Sequence, residues 1–396
     1  MNHGTAPFRI AVFHDNFAQA GGAEKVAEEI HRTLAPADLW STLYAPERLS
    51  AYARQQGIRT TWMQSLPGKA KYFRYYFLLY PFAVEGAKLD AYDLIVTSCF
   101  GYAKGVRKRK GAVHVCYCHT PMRWVWRTAD YVAREGFSAW KRTLLNLLLK
   151  PLKAWEMRAA RQPDIFIANS HAVAERIRFA FGRESIVIPP PIETSRFQLS
   201  AEVDDSYLVL TRLTPYKRID LAVEACTRLG RKLVVIGDGP DRARLEAMAG
   251  PTVTFLGRAP DEVVNRHASR CRALLFPGEE DFGMVPLEIN ASGRPVIAFY
   301  GGGAMETVLD GETGVFFREA NADSLSEAIL RFESMTFNPQ RIRSHAEGYD
   351  TTVFRRRLLD VVRSASKEFA QLSPDPIPAL EIPELAAAGS GKAGRP

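Results

Sequence analysis

The sequence is poor in cysteine and has no long run of apolar residues. It holds five cysteines among 396 residues, an odd number in a large chain, which argues against a disulfide framework and favours a reducing compartment. The longest apolar stretch, residues 144–149, is interrupted by Asn146 and is far shorter than a membrane-spanning helix. A secretory leader pattern is also missing, since residues 8–13 pass directly into a strand pattern, so we expect a cytoplasmic protein.

Acidic residues are scarce in the first half of the chain and in slight excess in the second. Residues 1–192 hold 27 Lys and Arg against 15 Asp and Glu, whereas residues 193–396 hold 25 against 29. A basic half suggests nucleic acid or an anionic membrane as a partner. Recognisable nucleic-acid-binding motifs are absent, so we expect no nucleic-acid partner.

Two stretches of the basic half mix cationic residues with aromatic residues or leucines. They are residues 69–80, KAKYFRYYFLLY, and residues 141–155, KRTLLNLLLKPLKAW. A helix of this kind can lie in a membrane interface, with apolar side chains in the acyl boundary and lysines on anionic headgroups, or it can pack in the core. The basic run at residues 104–110 and the charge bias favour the membrane. We therefore expect peripheral attachment to the inner face of the cell membrane.

Short apolar strands alternate with helical patterns, which predicts parallel sheets and the α/β class. The predicted strands are residues 10–13, 93–98, 111–118 and 164–170 in the first half, and 207–210, 232–236, 253–256, 274–276 and 295–299 in the second. Pro189, Pro190 and Pro191 interrupt this pattern and predict an interdomain hinge. The sequence therefore predicts two doubly wound units.

Residues 276–300 combine a strand end, an acidic loop, a helix and a second strand. Glu280 lies in the loop and Glu288 about one turn into the helix, so both carboxylates can accept hydrogen bonds from hydroxyls of one ligand. The unpaired amides of a helix N-terminus suit a phosphate. Here they belong to Gly283, Met284 and Val285. The alternative is a solvated acidic loop before an ordinary amphipathic helix.

Two glycine-rich loops follow predicted strands. Gly21 and Gly22 open the first helix, where the backbone can approach a phosphate or a sugar, or where the glycines simply make a turn. Gly237 and Gly239 form half of a dinucleotide-binding fingerprint and lack its third glycine. This disfavours a nicotinamide-dependent oxidoreductase.

One histidine of the first half is a candidate site residue. His119 follows a predicted strand at its carboxyl end, where parallel strands deliver residues to a ligand crevice, although it can also simply cap the strand. His114, Cys116 and Cys118 share one face of the same strand and raise the possibility of a metal site. Buried strand cysteines are common core residues, so we expect no metal.

Two cations stand out in the acidic second half. Arg212 and Lys217 both follow a predicted strand. A guanidinium and an ammonium beside a crevice suit a diphosphate, the first through paired hydrogen bonds and the second as a point charge. The alternative is ordinary surface charge.

In their order along residues 8–350, these motifs resemble those of the retaining glycosyltransferases of family 4. The matching residues are Gly21-Gly22-Ala23-Glu24, His119-Thr120-Pro121, Arg212 with Lys217, Gly237-Asp238-Gly239, Glu280 with Glu288, and Glu306-Thr307-Val308. The versions around His119 and Glu280 resemble the bacterial mannosyltransferase branch that builds cell-surface polysaccharides. Asp281 departs from the family pattern, in which many relatives have glycine at this position.

The resemblance implies the GT-B fold, in which two Rossmann-like domains face each other across a cleft. The implied acceptor-binding domain covers residues 1–192 and the implied nucleotide-sugar-binding domain residues 193–353. A helix over residues 354–372 would cross back to the first domain. Residues 373–396 are rich in Pro, Ala and Gly and are expected to be disordered.

The resemblance also implies a reaction and a set of residue roles. A hexose, most plausibly mannose from GDP-mannose, would pass to a lipid-linked saccharide with retention of configuration and without a metal or other cofactor. Glu280 would contact the sugar, Glu288 the nucleotide ribose, and His119 would line the sugar pocket. Arg212 and Lys217 would act in catalysis by stabilising negative charge on the leaving diphosphate. The remaining implied donor contacts are Arg258, Gly21, Gly22, Gly237, Gly283, Met284 and Val285. A sugar-nucleotide 2-epimerase of the same fold and a non-catalytic sugar-nucleotide-binding protein remain alternatives.

Overall fold

Two parallel sheets organise the chain in the computed structural model, which describes residues 7–19, 21–126 and 139–372 and, within residues 139–146, the backbone alone. The first sheet has seven strands in the order β3-β2-β1-β4-β5-β6-β7, and the second has six in the order β10-β9-β8-β11-β12-β13. The predicted α/β class with two doubly wound units is therefore confirmed. The tail predicted to be disordered, residues 373–396, lies outside the described residues.

The first sheet and its helices are formed by the chain up to the triple proline. Its strands are β1 (Ile10–His14), β2 (Asp38–Ser41), β3 (Arg59–Thr60), β4 (Leu94–Cys99), β5 (Val113–Cys118), β6 (Ile165–Ala168) and β7 (Ile186–Val187). Its helices are α1 (Gly22–Thr33), α2 (Ala51–Gln55), α3 (Lys69–Tyr72), α4 (Tyr80–Glu85), α5 (Arg123–Trp126), α6 (Ala139–Ala159) and α7 (His171–Phe181). Short 3-10 helices lie at Pro46–Arg48, Trp62–Ser65, Ala103–Gly105 and Thr194–Arg196.

The second sheet repeats the alternation. Its strands are β8 (Ser206–Leu210), β9 (Lys232–Ile236), β10 (Val253–Gly257), β11 (Leu274–Phe276), β12 (Val296–Phe299) and β13 (Gly314–Phe317). Its helices are α8 (Ile219–Leu229), α9 (Arg242–Met248), α10 (Asp261–Arg270), α11 (Met284–Ala291), α12 (Ala304–Thr307), α13 (Ala322–Glu333) and α14 (Pro339–Glu347), with a 3-10 helix at Pro215–Lys217. The strands that the sequence pattern missed, β2, β3, β7 and β13, lie at or next to sheet edges and are too short to show a periodicity.

The centre of the first sheet is fully buried because helices cover both of its faces. β4 and β5 pair in parallel along their whole length, from Leu94 opposite Val113 to Cys99 opposite Cys118. All six residues of β4 are buried. A strand covered on both sides needs apolar residues on both, which is why these segments are nearly continuous apolar runs in the sequence.

The end of the chain returns to the first domain. After α14, Asp350 forms a parallel bridge with Ile192, and α15 (Thr351–Ala365) then packs against α1 and β5. Phe354 and Leu358 of α15 are buried in the same core cluster as Val12 and Val26. The helix ends at Ala365 and α16 (Lys367–Leu372) follows, so the single helix expected to run to about residue 370 is divided at Ser366.

The aromatic stretch at residues 69–80 is not one amphipathic helix. α3 covers only its first four residues, turns follow, and α4 begins at Tyr80. Tyr80 is buried and stacks on Tyr102, whereas Tyr75 is 78% exposed. This segment therefore both packs on the core and presents an aromatic surface, so neither of the two alternatives describes it alone.

The leucine-rich stretch is helical in α6 and divides in the same way. Leu149, Leu152 and Trp155 are buried in the core, whereas Leu147 and Leu148 are exposed. The side chains of residues 141–146 lie outside the described part of the chain. No helix within the described ranges is both long enough and apolar enough to cross a membrane.

The basic run at residues 104–110 is only partly at the surface, where Arg107, Arg109 and Lys110 are exposed. Lys104 is fully buried, with its Nζ atom 2.8 Å from Oε1 of the equally buried Glu156 of α6. Arg107 pairs with Glu85 at 2.6 Å, and Lys108 pairs with Asp164. Burial alone would lower the pKa of Lys104, but Cys99 and Glu156 raise this pKa above its usual value. The run therefore contributes internal ion pairs.

Glu156 also organises the loop that follows β5. Its carboxylate accepts hydrogen bonds from the backbone N–H of Met122 at 3.0 Å and from the indole N–H of Trp126 at 2.9 Å. The same side chain thus satisfies a buried ammonium and fixes the backbone just after His119-Thr120-Pro121. A buried charge with this many partners holds one arrangement of α6 against the sheet.

We expect Glu156→Gln and Lys104→Met each to lower the free energy of unfolding by about 3–5 kcal/mol, because each change leaves the other charge buried without its counter-ion. The double variant should lose much less than the sum of the two. Urea unfolding checks this. Arg228→Met, which breaks the exposed Arg228–Asp323 pair, is the matched control and should cost less than about 1 kcal/mol. Additive losses would show that Lys104 and Glu156 do not depend on each other.

Candidate active site

The loop after β11 and the loop after β8 bring two predicted site residues together. Glu280 and Lys217 form an ion pair in which both side chains are mostly buried. Gly278 makes this approach possible, because a Cβ atom there would lie 2.8 Å from the backbone of Lys217. The pair lines a small cavity with Thr211 and Pro277 at the carboxyl edge of the second sheet. This is where ligands bind in open α/β sheets.

Arg212 lies within a cluster of positive charges contributed by both domains. Burial lowers the pKa of Arg212, and Arg74, Arg258 and Arg48 lower it further. Arg212 and Arg258 belong to the second domain and were predicted, whereas Arg48 and Arg74 come from the first domain and were missed. The charges of Arg74, Arg258 and Arg48 all act on Arg212, and such a concentration of positive charge favours an anionic group such as a diphosphate.

The N-terminus of α11 faces the glycine loop of the first domain. Gly283, with φ of 85°, precedes the helix, which begins with Met284 and Val285. A Cβ atom on Gly22 would lie 3.0 Å from Sδ of Met284, so glycine permits the close approach. Glu288 lies one turn further along, with its carboxylate 3.7 Å from Nζ of Lys25 in α1. The residues predicted from the two halves of the sequence therefore meet across the cleft.

The loop after β9 has a packing explanation for its glycines. Gly237 has φ of 144°, and a Cβ atom there would lie 1.8 Å from the carbonyl oxygen of Thr211. Gly239 is in similarly close contact with the Leu213 carbonyl. These glycines let the loops after β8 and β9 lie against each other. Arg258 is the accessible group in this region, with its Nε atom 3.9 Å from Oδ2 of Asp238.

His119 belongs to a buried chain of hydrogen bonds at the end of β5. Its Nε2 atom lies 2.9 Å from Oγ of Ser98, and the same hydroxyl lies 3.0 Å from Nδ1 of His14. Burial lowers the pKa of His119 to about 4, although Asp281 opposes this shift, and burial lowers the pKa of His14 to about 3. Both imidazoles are therefore neutral near pH 7. His119 can exchange a neutral hydrogen bond with a ligand but brings no positive charge.

Asp15, a residue that sequence reasoning missed, shapes the floor of the first domain's half of the site. Its two carboxylate oxygens accept four backbone hydrogen bonds of 2.6–2.7 Å from residues 100–103, the turn after β4. Burial raises the pKa of this carboxyl, while Lys104 and the N–H groups of Ala103, Tyr102 and Phe100 oppose the rise. An acidic residue directly after a fully buried strand was the signal available in the sequence.

The two domains are also joined by side chains that the sequence did not predict as site residues. Asp281 pairs with Arg123 of α5 and with Arg176 of α7. Glu306 accepts hydrogen bonds from the backbone N–H groups of His171 and Ala172 at 2.8 and 3.0 Å. Glu306 therefore caps the N-terminus of α7 from the opposite domain, where a carboxylate is stabilising.

A second cavity adjoins this seam on the side of the first domain. It is an open depression of about 410 Å³, a volume that includes space open to solvent, and is lined by Thr120, Pro121, Arg123, Trp126, Arg176, Phe179 and Ala180. Phe179 is 84% exposed and meets Trp126 edge to face at 6.2 Å. The buried Thr120 hydroxyl has no hydrogen-bond partner among the residues that the structure describes. Aromatic faces with a few polar groups are typical of small-molecule sites.

The strand residues considered as metal ligands lie in the core. His114 is fully buried, with Nε2 3.0 Å from the Thr97 hydroxyl, and Cys116 and Cys118 belong to a hydrophobic cluster. Over the described part of the chain, no group of three or more His, Cys, Asp or Glu side chains is placed to hold a metal ion. Core packing accounts for all three residues.

Two family models match adjacent parts of the chain and together cover most of it. The model described as Glycosyltransferase Family 4 matches residues 20–196, and the model described as Glycosyl transferases group 1 matches residues 191–348. The two matches meet at the triple proline, where the first sheet ends and the second begins.

Curated relatives are similar at modest identity. A GDP-mannose-dependent alpha-(1-6)-phosphatidylinositol monomannoside mannosyltransferase from Mycolicibacterium smegmatis is 29% identical over 204 residues, which are 43% of this chain and 53% of that protein. The chain thus spans about half the length of the first of these relatives. The human alpha-1,3/1,6-mannosyltransferase is 25% identical over 365 residues, which are 79% of this chain and 84% of that protein.

Solved structures of similar fold cover nearly the whole chain. HepE from Anabaena in complex with UDP and glucose matches with a TM-score of 0.65 at 19% identity, covering 90% of this chain and 100% of that one. Sucrose-phosphate synthase from Thermosynechococcus elongatus matches with a TM-score of 0.69 at 19% identity, covering 90% and 99%. The chain has the two-domain GT-B fold and belongs to the family 4 glycosyltransferases.

Proposed function

We propose that the protein transfers a hexose, specifically mannose from GDP-mannose, to a hydroxyl of a lipid-linked saccharide with retention of configuration. The observation that carries this proposal is the Glu280–Lys217 pair at the carboxyl edge of the second sheet, next to Arg212 and the N-terminus of α11. Choice of mannose rests on the relatives, among which is a GDP-mannose-dependent mannosyltransferase. The first domain would bind the acceptor and the second the donor.

The cations explain how the leaving group is stabilised. As the bond from the sugar anomeric carbon to the diphosphate oxygen breaks, negative charge grows on the diphosphate. Arg212, Lys217 and the α11 amides stabilise that charge. Preorganised charges and N–H groups stabilise a transition state most strongly at the atoms where charge develops. In the structure Lys217 is paired with Glu280. A bound donor would present its phosphate to Lys217 and its sugar hydroxyls to Glu280, two side chains that already lie side by side. We propose that this reaction needs no metal.

The acceptor proton has a defined destination in this scheme. The acceptor hydroxyl forms the new bond to the anomeric carbon, and its proton moves to the oxygen of the departing phosphate. His119 is neutral near pH 7 because burial lowers its pKa to about 4. Its role is therefore to hold a sugar hydroxyl by a neutral hydrogen bond. Glu280 orients the sugar and Glu288 the ribose.

Membrane attachment through the first domain gives the enzyme access to a lipid-linked acceptor. Leu147, Leu148, Lys150 and Lys153 are exposed on α6, as are Tyr75 in the aromatic stretch and Phe82 in α4. These two elements touch, since the Trp155 indole of α6 donates a 2.6 Å hydrogen bond to Glu85 of α4. Exposed apolar side chains beside lysines suit an anionic membrane surface.

We expect the purified protein to release GDP from GDP-mannose when a lipid extract containing the acceptor is present, and Glu280→Gln to reduce this turnover by about 10²-fold or more. Donor affinity should fall less, because the contact with the sugar strengthens in the transition state. Enzyme kinetics with calorimetric donor binding measures both. Glu312→Gln, an exposed glutamate paired with Arg341, is the matched control.

Four results of this assay contradict the proposal in different ways. Free sugar released without acceptor indicates a 2-epimerase, and donor binding without turnover indicates a non-catalytic binder. Preference for UDP-glucose, suggested by the UDP and glucose in the Anabaena structure, overturns the choice of donor but not the reaction. Wild-type turnover in Glu280→Gln removes Glu280 from the sugar site.

Arg212→Ala and Lys217→Ala should each weaken GDP binding by roughly tenfold or more while changing guanosine binding little, because each side chain contacts the diphosphate. Isothermal titration with the two ligands measures the difference. Lys232→Ala removes an exposed cation at the start of β9 and is the control. Equal losses for GDP and guanosine would mean that the pair supports the fold of the loop.

Leu148→Glu, and separately the double change Lys150→Glu with Lys153→Glu, should reduce sedimentation with anionic vesicles and leave donor binding intact. Each basic residue near an anionic surface contributes about 1 kcal/mol, so salt should also weaken the attachment. Leu330→Glu, at an exposed leucine of the second domain, is the control. Sedimentation that is equal with anionic and neutral vesicles and insensitive to salt would remove the electrostatic part of the proposal.

A further inference from the structure

The acidic loop after β11 is held by both domains through consecutive residues. Glu280 pairs with Lys217 of its own domain, and its carbonyl accepts a 2.9 Å hydrogen bond from the Gly303 N–H. Asp281, the next residue, turns to the first domain. Its carboxylate lies 2.5 Å from a guanidinium nitrogen of Arg123 and also pairs with Arg176. Glu280, which is proposed to orient the sugar, is thus adjacent in sequence to Asp281, which makes the contact between the domains.

The two arginines come from different elements of the first domain. Arg123 begins α5, four residues after His119, and Arg176 lies in the middle of α7. Arg176 also reaches Glu279, with 3.4 Å between its Nη2 atom and Oε1. One carboxylate oxygen of Asp281 pairs with both arginines. It therefore connects the loop of Glu280 to helix α7 and to the loop that follows His119.

Backbone contacts reinforce the same seam. Ser170, which caps the N-terminus of α7, donates from its hydroxyl to the carbonyl of Asp281 at 2.7 Å. Glu306 caps the same helix end from the second domain. The Asp281 side chain is only 20% exposed and that of Arg176 only 24%. Charge-assisted bonds at such partly buried positions are stronger than those of surface pairs.

The surrounding charges balance at this seam. Arg123 and Arg176 face Glu279 and Asp281, two cations against two carboxylates. Burial would lower the pKa of Arg123, but Asp281 raises this pKa above its usual value. Removing one negative charge leaves two guanidinium groups sharing a single carboxylate across the seam.

We propose that Asp281 is a positioning residue: by binding Arg123 and Arg176 it holds the Glu280 loop against the acceptor domain in the closed arrangement. The catalytic consequence rests on the proposed glycosyl transfer, whereas the closure itself does not. Glu280 faces the sugar and the acceptor side together only while this contact is made.

Asp281→Asn is the direct test, because it keeps the shape of the side chain and removes its charge. We expect turnover to fall by about tenfold or more and donor affinity to change less, since most of the proposed donor contacts lie within the second domain. Arg176→Gln should have a similar effect. The double variant should lose little more than either single variant, because both remove the same contact.

Domain closure is measured independently of activity by fluorescence transfer between two labels. All five native cysteines are buried, so Lys88→Cys in the first domain and Lys232→Cys in the second, both exposed, can be labelled selectively. Asp281→Asn should shift the population toward a more open distribution, and Asp281→Glu should restore part of the closed population. Arg178→Gln is the matched control, because Arg178 is an exposed arginine on the same helix, α7.

The outcomes separate this inference from the proposed function. If the wild-type protein transfers no sugar from any donor but Asp281→Asn still opens the domains, the function is wrong and the closure contact stands. If the label distances and turnover of Asp281→Asn match the wild type, the inference is overturned. It is also overturned if Asp281→Asn loses donor affinity as strongly as turnover with unchanged label distances, because Asp281 would then contact the donor itself.

Discussion

Parallel pairing is the constraint on which the rest of this structure depends. Within each sheet the strands run in the same direction, so the loops that follow them gather at one edge. His119 after β5 and Glu280 after β11 are delivered to these edges, and α15 returns to the first domain beyond the Ile192–Asp350 bridge. The helices that make the parallel connections also bury both faces of the sheets, which is why the strands are so apolar.

Some of the opposite charges of the two halves of the sequence pair with each other within the protein. The acidic loop of the second domain binds arginines of the first, and Lys25 approaches Glu288 across the same cleft. Lys104, counted as part of a basic run, is fully buried against Glu156. Net charge therefore indicated that the halves differ, but it did not indicate which charges face a partner.

The polar side chains at this site differ in charge, and for the two histidines burial is the cause of their neutrality. His119 and His14 share the Ser98 hydroxyl in a buried position and are neutral near pH 7. The cationic side chains at the site include Arg212, Lys217 and Arg258. Burial therefore leaves the two histidines as neutral hydrogen-bonding groups beside these cations.

Local features could be predicted from the sequence: the strands that form both sheet centres, the glycine before α11, and the spacing of Glu280 and Glu288. Each depends on residues close together in the chain, where periodicity and backbone preference act. The contact between Asp281 and Arg176, 105 residues away, and the burial of Leu152 beside the exposed Leu148 in α6 became known only from the fold. Such contacts have no local signal, because an ion pair or a buried face is defined by the element that packs against it.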